Sequence, residues 1–381
     1  MRAKGLTPIF LNSMLRQVSV GLLSLFSPIY IFKIGQNFSL SPKNSLVLVF
    51  SYFLLLHIVK LLTLPLAENL AVKIGFKKIS YLSSLPFTFF VAFLIFSQKS
   101  PFWLLPAAIF WGVNASLFWF SYHGFFVKLS DADHFGQATA TAQFLGTIAN
   151  VLSPIMGGFV IWKFGFGALF VLSGAIFVTS LMALWFVQEK KPYHDAKISK
   201  VWQLFTTHKK MVVAYFGLGG EGGLYGVAWP LFLFVVLGKI LVVGEVISAA
   251  IFLAALLTLI VGIWVDRLGK GAVIRIGAPV VFLSWLGRIF ARTPGAIIGV
   301  DTFYRVADQM LVIPFSVWTY QKALEGGTGQ ALYFREISVT FGTIFALLMA
   351  GIMLIFGANL ETLFILAAIG SLLPLLIIKK K

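Results

Sequence analysis

Long apolar runs separated by short polar or glycine-containing stretches extend along the whole chain. A helix needs roughly 20 mostly apolar residues to cross the hydrocarbon core of a bilayer. By that measure the pattern predicts an all-α polytopic membrane protein with twelve transmembrane helices. These predicted spans 1 to 12 are 9–32, 44–67, 79–97, 102–126, 137–162, 165–188, 211–237, 243–265, 272–290, 295–321, 329–356 and 360–378.

The composition agrees with a membrane protein. The chain is 59% hydrophobic and 11% charged, with a mean hydropathy of +0.94, whereas soluble domains carry about 25% charged residues. The net charge of +17 does not indicate a nucleic-acid partner, because the basic residues lie between apolar runs and form no single basic face.

Recognisable enzyme signatures are missing from the sequence. There are no cysteines, which excludes disulfides, thiol catalysis and thiolate metal ligands. We find no His-Glu-x-x-His helix, no Gly-x-Ser-x-Gly elbow and no Walker loop. We therefore predict neither an enzyme nor a bound metal or cofactor, and any concentrative transport would depend on an ion gradient.

The distribution of basic residues predicts the orientation. Most lysines and arginines outside the spans flank them on the side that holds both termini. The other side has only Lys33, Lys43, Lys99, Lys163, Lys239 and Arg292. Because cytoplasmic loops carry the excess of positive charge, we expect an inner-membrane protein with both termini in the cytoplasm and a first span that is not a cleaved signal peptide.

A repeat divides the chain into two halves. The turn Gly75-Phe76-Lys77-Lys78 after span 2 is echoed by Gly269-Lys270 after span 8, and Gly136-Gln137-Ala138 is echoed at nearly the same separation by Gly329-Gln330-Ala331. The longest polar stretch lies between the two copies. We therefore predict an N-terminal six-helix half (1–188), a basic cytoplasmic linker (189–210) and a C-terminal six-helix half (211–381).

Two short motifs carry a resemblance to a known family. Gly262, Asp266-Arg267 and Gly269-Lys270 lie in and beside the turn between spans 8 and 9, and Pro154, Gly157 and Gly158 lie in span 5. The first resembles the loop signature of the major facilitator superfamily, and the second is similar to a segment of its antiporters. The sequence departs from the family at Val72, where the first loop copy lacks the Asp, and at Ala108, where drug antiporters place an arginine.

This resemblance implies a fold and a function. It implies two pseudo-symmetric six-helix halves that rock about a site at the membrane midplane, with spans 1, 4, 7 and 10 around a central cavity. We expect a monomeric secondary transporter that moves a small solute by alternating access, driven by H⁺ or Na⁺ and most simply by protons. The alternative is a membrane receptor or assembly factor of the same fold that does not transport.

Charged residues inside predicted spans mark candidate sites, because each costs about 2.5–3.5 kcal/mol to insert. Glu221 lies in span 7 within 217–223, a stretch with five glycines. The glycines indicate a helix break or hinge, at which a carboxyl group could bind and release a proton. Alternatively, they allow tight helix packing, and Glu221 pairs with a cation elsewhere.

Span 10 and span 1 carry the other candidates for the cavity. Asp301, Arg305 and Asp308 are spaced to share one face of a helix. They form either a substrate clamp, in which Arg305 holds an anionic group, or a structural ion-pair ladder. Arg16 in span 1 could face the cavity or reach the membrane surface, and Asn114 in span 4 could bind a ligand or another helix.

A cytoplasmic gate is expected from the family arrangement. Arg335 and Glu336 lie near the inner end of span 11, and the resemblance implies that they reach the Asp266-Arg267 turn. Lys60 in span 2 is interpreted as an inner-leaflet residue, and His123 in span 4 as an interfacial residue or a proton carrier. Three tryptophans placed away from span ends could line the cavity: Trp111, Trp119 and Trp229.

Overall fold

The computed structural model describes residues 7–129, 135–187, 198–326 and 328–378, and within these ranges it is helical apart from short turns and has no strand. The fourteen α-helices are α1 (Thr7–Ser24), α2 (Ser27–Asn37), α3 (Pro42–Ile74), α4 (Phe76–Leu82), α5 (Ser84–Phe96), α6 (Leu104–Leu129), α7 (Phe135–Met182), α8 (Ile198–Thr207), α9 (Lys209–Leu237), α10 (Ile240–Leu268), α11 (Lys270–Arg288), α12 (Pro294–Gly326), α13 (Thr328–Ile355) and α14 (Leu360–Leu372).

Every predicted span falls on this helical framework. Spans 1 and 3 are each made of two consecutive helices, α1 with α2 and α4 with α5. Spans 5 and 6 together form α7, which is interrupted at Gly165, where φ is +82°. Only glycine adopts that backbone conformation readily, so the chain reverses there without a longer loop.

Ten helical segments of the described residues are long and apolar enough to cross a membrane. The number differs from twelve for two reasons. Gly146–Phe186 contains both span 5 and span 6 and counts once, and α12, which carries three charged residues within eight positions, is not among the ten. The protein is therefore a polytopic integral membrane protein, and the count of twelve stays a prediction.

The outer surface is apolar, as expected for a protein in lipid. Phe102, Phe290 and Phe356 are at least 80% exposed, and Leu62 and Trp185 are more than 70% exposed. Soluble proteins rarely expose continuous apolar patches of this kind. Aromatic side chains also fill the interior, where Phe87 and Phe177 stack with their ring centroids 3.9 Å apart.

The two glycine turns of the repeat have the same local structure. Gly75 ends α3 with φ at +85°, and Gly269 separates α10 from α11 with φ at +78°. Both positions need a residue without a Cβ atom. The repeat seen in sequence therefore corresponds to equivalent turns in the fold.

The glycine run around Glu221 does not break its helix, so the predicted break is wrong. Helix α9 is continuous from Lys209 to Leu237. A Cβ atom on Gly219 would collide with the carbonyl oxygen of Val339 in α13, and one on Gly342 would collide with that of Phe216 in α9. These glycines allow α9 and α13 to pack with their backbones in contact.

Candidate transport site between the two halves

Three adjoining cavities lie between helices of the first half (α1, α6, α7) and of the second half (α9, α10, α12, α13). We name them the aromatic cavity (about 400 Å³), the acidic cavity (about 330 Å³) and the third cavity (about 270 Å³). Asn150 of α7 lines all three. Their size is that of sites for small molecules.

Glu221 lies in the wall of the acidic cavity and is 3% exposed. Its Oε1 atom accepts hydrogen bonds from Trp285 Nε1 and from the Tyr304 hydroxyl, each at 2.7 Å. Helices α9, α11 and α12 thus contribute one residue each. No cation pairs with Glu221 in the described part of the chain. The carboxylate is held only by neutral donors.

Asp301 joins two arginines on neighbouring helices. Its Oδ1 accepts from Arg288 at 2.7 Å, and its Oδ2 accepts from Nε of Arg305 at 2.7 Å. Arg288 and Asp301 are both fully buried. The Arg288 guanidinium carbon lies 3.9 Å from the ring centre of Tyr304 and 4.3 Å from that of Trp285. Arg288 therefore fixes the two residues that donate to Glu221.

The other two charged residues of the α12 face point into the cavities. The Arg305 side chain is 23% exposed and lines the acidic and third cavities. Asp308 lines the acidic cavity, and it has no ion-pair or hydrogen-bond partner within the described ranges. The acidic cavity thus has two carboxyl groups, Glu221 and Asp308, and one arginine.

Arg16 lies in the wall of the aromatic cavity and is 2% exposed. Its Nη2 donates to the Asn114 side-chain oxygen at 3.2 Å, while Nε and Nη1 have no hydrogen-bond partner within the described ranges. The guanidinium carbon lies 3.0 Å from the ring centre of Phe118 and 4.3 Å from that of Phe177. The structure places Arg16 and Asn114 together in the interior.

A polar network connects the two halves near the ends of α6 and α12 and the start of α13. Lys60 Nζ lies 2.9 Å from Oε2 of Glu336, and Arg335 Nη1 pairs with Oε1 of the same carboxylate. Arg335 Nη1 also lies 3.1 Å from His123 Nε2, and His123 Nδ1 lies 2.9 Å from the Tyr320 hydroxyl. We refer to Lys60, His123, Tyr320, Arg335 and Glu336 as the inter-half latch.

The latch gives Lys60 a partner that the sequence did not indicate. Its side chain is 12% exposed and is paired across the interface, and its position in the inner leaflet stays a prediction. The side chains of Gly262, Asp266, Arg267 and Lys270 lie outside the described residues. Of the expected gate, the structure therefore describes Gly269, Arg335 and Glu336.

The geometry at His123 fixes a tautomer. Arginine can only donate, so Nε2 of His123 accepts from Arg335 and its Nδ1–H donates to the Tyr320 oxygen. This assignment follows from the hydrogen-bond network. In this arrangement His123 is neutral and is fixed within the latch.

The span 5 motif lies at the other end of the interface. The backbone N–H of Ile155, which follows Pro154, donates to the Ser248 hydroxyl of α10 at 3.0 Å. A Cβ atom on Gly158 would lie 3.2 Å from the Cα of Leu241. Small residues here let α7 and α10 approach closely, so the halves are in contact at both ends of the cavities.

A family model described as Major Facilitator Superfamily matches residues 9–213, more than half of the chain. The chain belongs to the major facilitator superfamily. The resemblance drawn from its motifs is thereby confirmed.

Solved structures of other superfamily members share the fold over the whole length. An auto-inhibited POT family peptide transporter is similar at a TM-score of 0.71, with 98% of this chain and 96% of that chain covered. The POT family transporter PepTSo gives 0.74, with 98% and 96% covered. The human organic anion transporter MFSD10 (TETRAN) gives 0.73, with 99% of both chains covered. Each is 12% identical in sequence, a likeness that shows the fold. A comparison with curated proteins finds no match.

Several residues of this superfamily member's interior were missed by the sequence reasoning. Trp285 and Tyr304 donate hydrogen bonds to Glu221. The sequence feature that could have indicated them is their position close to the charged residues Arg288 and Arg305. Glu68 of α3 is 1% exposed, and neither of its carboxyl oxygens has a hydrogen-bond partner among the described residues. It was overlooked because it lies one residue beyond the predicted end of span 2.

Proposed function

We propose that the protein is a proton-coupled secondary transporter that moves a small solute by alternating access. The observation that carries this proposal is the acidic cavity. There, Glu221 and Asp308 line a space between the two halves, and neither is in an ion pair in the described part of the chain. A carboxyl group that lines a cavity inside a membrane protein without a counter-ion is a candidate for a functional group.

Protons fit this site better than metal ions. Among the described residues, no group of three or more His, Cys, Asp or Glu side chains is arranged to hold a metal ion. The acidic cavity offers few oxygen ligands for Na⁺, because Oε1 of Glu221 already accepts two hydrogen bonds. A proton needs only one carboxyl oxygen, so H⁺ is the simpler coupling ion.

The contacts that close the two ends of the cavities are the basis of the proposed alternating access. We infer that the inter-half latch and the α7–α10 contact open in turn, so that the cavities face one side of the membrane and then the other. The excess of basic residues beside the latch end supports a cytoplasmic position for that end and for both termini. The solved neighbours are described as peptide and organic anion transporters, which supports a small organic solute.

The proposal is tested with Glu221→Gln in proteoliposomes that enclose a pH-sensitive dye. Dialanine, 3-phenylpropionate and further small peptides and acids are added as probes. We expect solute-dependent proton movement in the wild type and none in the variant, because glutamine retains the shape and cannot exchange a proton. Glu245→Gln, on an exposed position of α10, is the matched control and should retain full activity.

Two outcomes would contradict the proposal. Proton movement that is the same in Glu221→Gln and in wild type would remove Glu221 from the mechanism. Solute uptake that depends on Na⁺ and ignores the pH gradient would replace the proton as the driving ion. Thermal unfolding of both variants shows whether loss of flux reflects loss of folding.

A further inference from the structure

The charged groups are divided unequally between the two larger cavities. The charged side chains that line the aromatic cavity are Arg16 and Arg335, the neutral His123 also lines it, and no carboxyl group of the described residues does. The carboxyl groups, Glu221 and Asp308, line the acidic cavity. Because Arg335 already pairs with Glu336 within the latch, Arg16 is the cation of the aromatic cavity that lacks a counter-charge among the described residues.

The surroundings of Arg16 favour the binding of an anion. Arg16 is 2% exposed, it forms no ion pair with any described acidic residue, and its Nε and Nη1 donors are unused. Burying an uncompensated cation costs several kcal/mol. The phenylalanine rings that flank the guanidinium recover part of that cost through cation–π attraction, but they supply no hydrogen-bond acceptor. An anionic ligand would supply both a hydrogen-bond acceptor and the negative counter-charge.

The other residues that line the aromatic cavity favour a ligand whose remaining part is apolar. Trp111, Trp119 and Tyr122 line the same cavity, and aromatic walls of this kind bind flat or aliphatic groups. The volume of about 400 Å³ accommodates one ring and a short chain. Polar groups are supplied by Ser13, Gln17 and Ser316.

We propose that the aromatic cavity binds the carboxylate of a small amphipathic organic acid, with Arg16 as its counter-ion. The proposal rests on the function proposed above and adds the substrate class. A zwitterion would need a carboxylate beside its ammonium group, and the carboxylates lie in the neighbouring cavity. The proton and the anion thus bind at separate places, with the proton on Glu221 or Asp308 and the anion at Arg16.

The test is equilibrium binding to the purified full-length chain in detergent, with no gradient. Isothermal titration calorimetry compares each acid with the amide that has the same apolar part. The pairs are benzoate and benzamide, 3-phenylpropionate and 3-phenylpropionamide, and indole-3-acetate and indole-3-acetamide. We expect at least one acid to bind about tenfold or more tightly than its amide, since an anion at a desolvated arginine contributes that much or more. Chloride and sulfate should bind more weakly than that acid.

Variants locate the anion. Arg16→Gln should lose about tenfold or more in affinity for the acid and leave the weak affinity for the amide unchanged. Arg16→Lys retains the positive charge with fewer hydrogen-bond donors, so its affinity for the acid should lie between those of the wild type and Arg16→Gln. Arg292→Gln is the matched control, because Arg292 lies on the surface with its side chain 51% exposed, and it should bind as the wild type does.

The acid and amide comparison needs no variant, so the inference stays testable if Arg16→Gln fails to fold. Equal affinity for acid and amide, no binding by any acid, or chloride and sulfate as effective as the acids would each overturn it. The two proposals fail separately. Acids that bind but cause no proton movement in proteoliposomes would contradict the transport function, and proton-coupled uptake of a neutral solute without acid binding would contradict the substrate class.

Discussion

At the scale of single residues, two buried carboxylates show how side chains from other helices define a charged site. Asp301 of α12 is neutralised by Arg288 of α11 as well as by Arg305 of its own helix. Glu221 of α9 is held by Trp285 and Tyr304. The two carboxylates therefore have different surroundings, since Asp301 pairs with cations and Glu221 accepts from neutral donors.

Asp301→Asn tests the buried ion pairs. The substitution leaves Arg288 and Arg305 without their shared acid, and breaking buried pairs typically costs about 3–5 kcal/mol. We expect the midpoint of thermal unfolding in detergent to fall by more than about 5 °C. Glu361→Gln breaks an exposed pair with Arg292 and should cost less than about 1 kcal/mol. Equal effects would show that the buried pairs are not structural.

Glu68→Leu tests whether removal of a buried, unpartnered carboxyl group stabilises the protein. Glu68 is buried and both carboxyl oxygens lack a partner, and an unsatisfied buried polar group costs about 1–3 kcal/mol. We expect a higher unfolding midpoint at neutral pH. Glu336→Leu is the matched control and should lower the midpoint, since it leaves Lys60 and Arg335 unpaired. A lower midpoint for Glu68→Leu would show that this carboxyl group has a partner in the folded protein.

At the scale of helices, glycine determines where backbones touch. The reciprocal contacts of Gly219 with Val339 and of Gly342 with Phe216 bring α9 and α13 together, and the same α9 carries Glu221 into the acidic cavity. A lower helix propensity at these positions costs about 1 kcal/mol each. The close packing that they allow offsets this cost.

Gly219→Ala should therefore destabilise the protein. Its methyl group would collide with the Val339 carbonyl, and overpacking costs about 1–3 kcal/mol or more. Gly351→Ala in α13 is the control, because a Cβ atom there meets nothing within 4 Å, and it should be neutral or stabilising by up to about 1 kcal/mol. The unfolding midpoints of the two variants measure the difference. Similar midpoints would mean that α9 and α13 can separate without cost.

At the scale of the whole molecule, the latch and the α7–α10 contact enclose the cavities between them. The latch joins α3 and α6 of the first half to α12 and α13 of the second, and Ile155 binds Ser248 at the other end. A transporter that alternates must break these contacts one set at a time. The relative strength of the two sets then determines which side the cavity faces.

Lys60→Met should open the latch end more often. The chain has no cysteine, so Ala115→Cys in the aromatic cavity is a unique probe for alkylation by a maleimide. Loss of a pair that contributes about 1.4 kcal/mol would raise the alkylation rate roughly tenfold. Lys33→Met, beside Phe234 and away from the latch, is the control and should leave the rate unchanged. An unchanged rate in Lys60→Met would show that this pair does not keep the cavity closed.

Sequence patterns predicted the helices well and the contacts between them poorly. Apolar runs are long enough to define each membrane helix, and glycine turns such as Gly75 and Gly269 mark where helices end. The pattern also separated spans 5 and 6, and the interruption of α7 at Gly165 lies at the predicted start of span 6. It gave no partner for Lys60, because the position of a residue within a span does not reveal a partner on another helix.

The sequence by itself determined that this chain enters the membrane as helices, and its motifs identified the superfamily. Insertion depends on the hydrophobicity of each segment, which is a local property. Only the tertiary structure decided which charges meet. The separation of Arg16 from Glu221 and Asp308 into different cavities, and the union of Lys60 with Glu336, depend on how distant helices pack. Electrostatic energy depends on distances in space, and a linear pattern does not contain them.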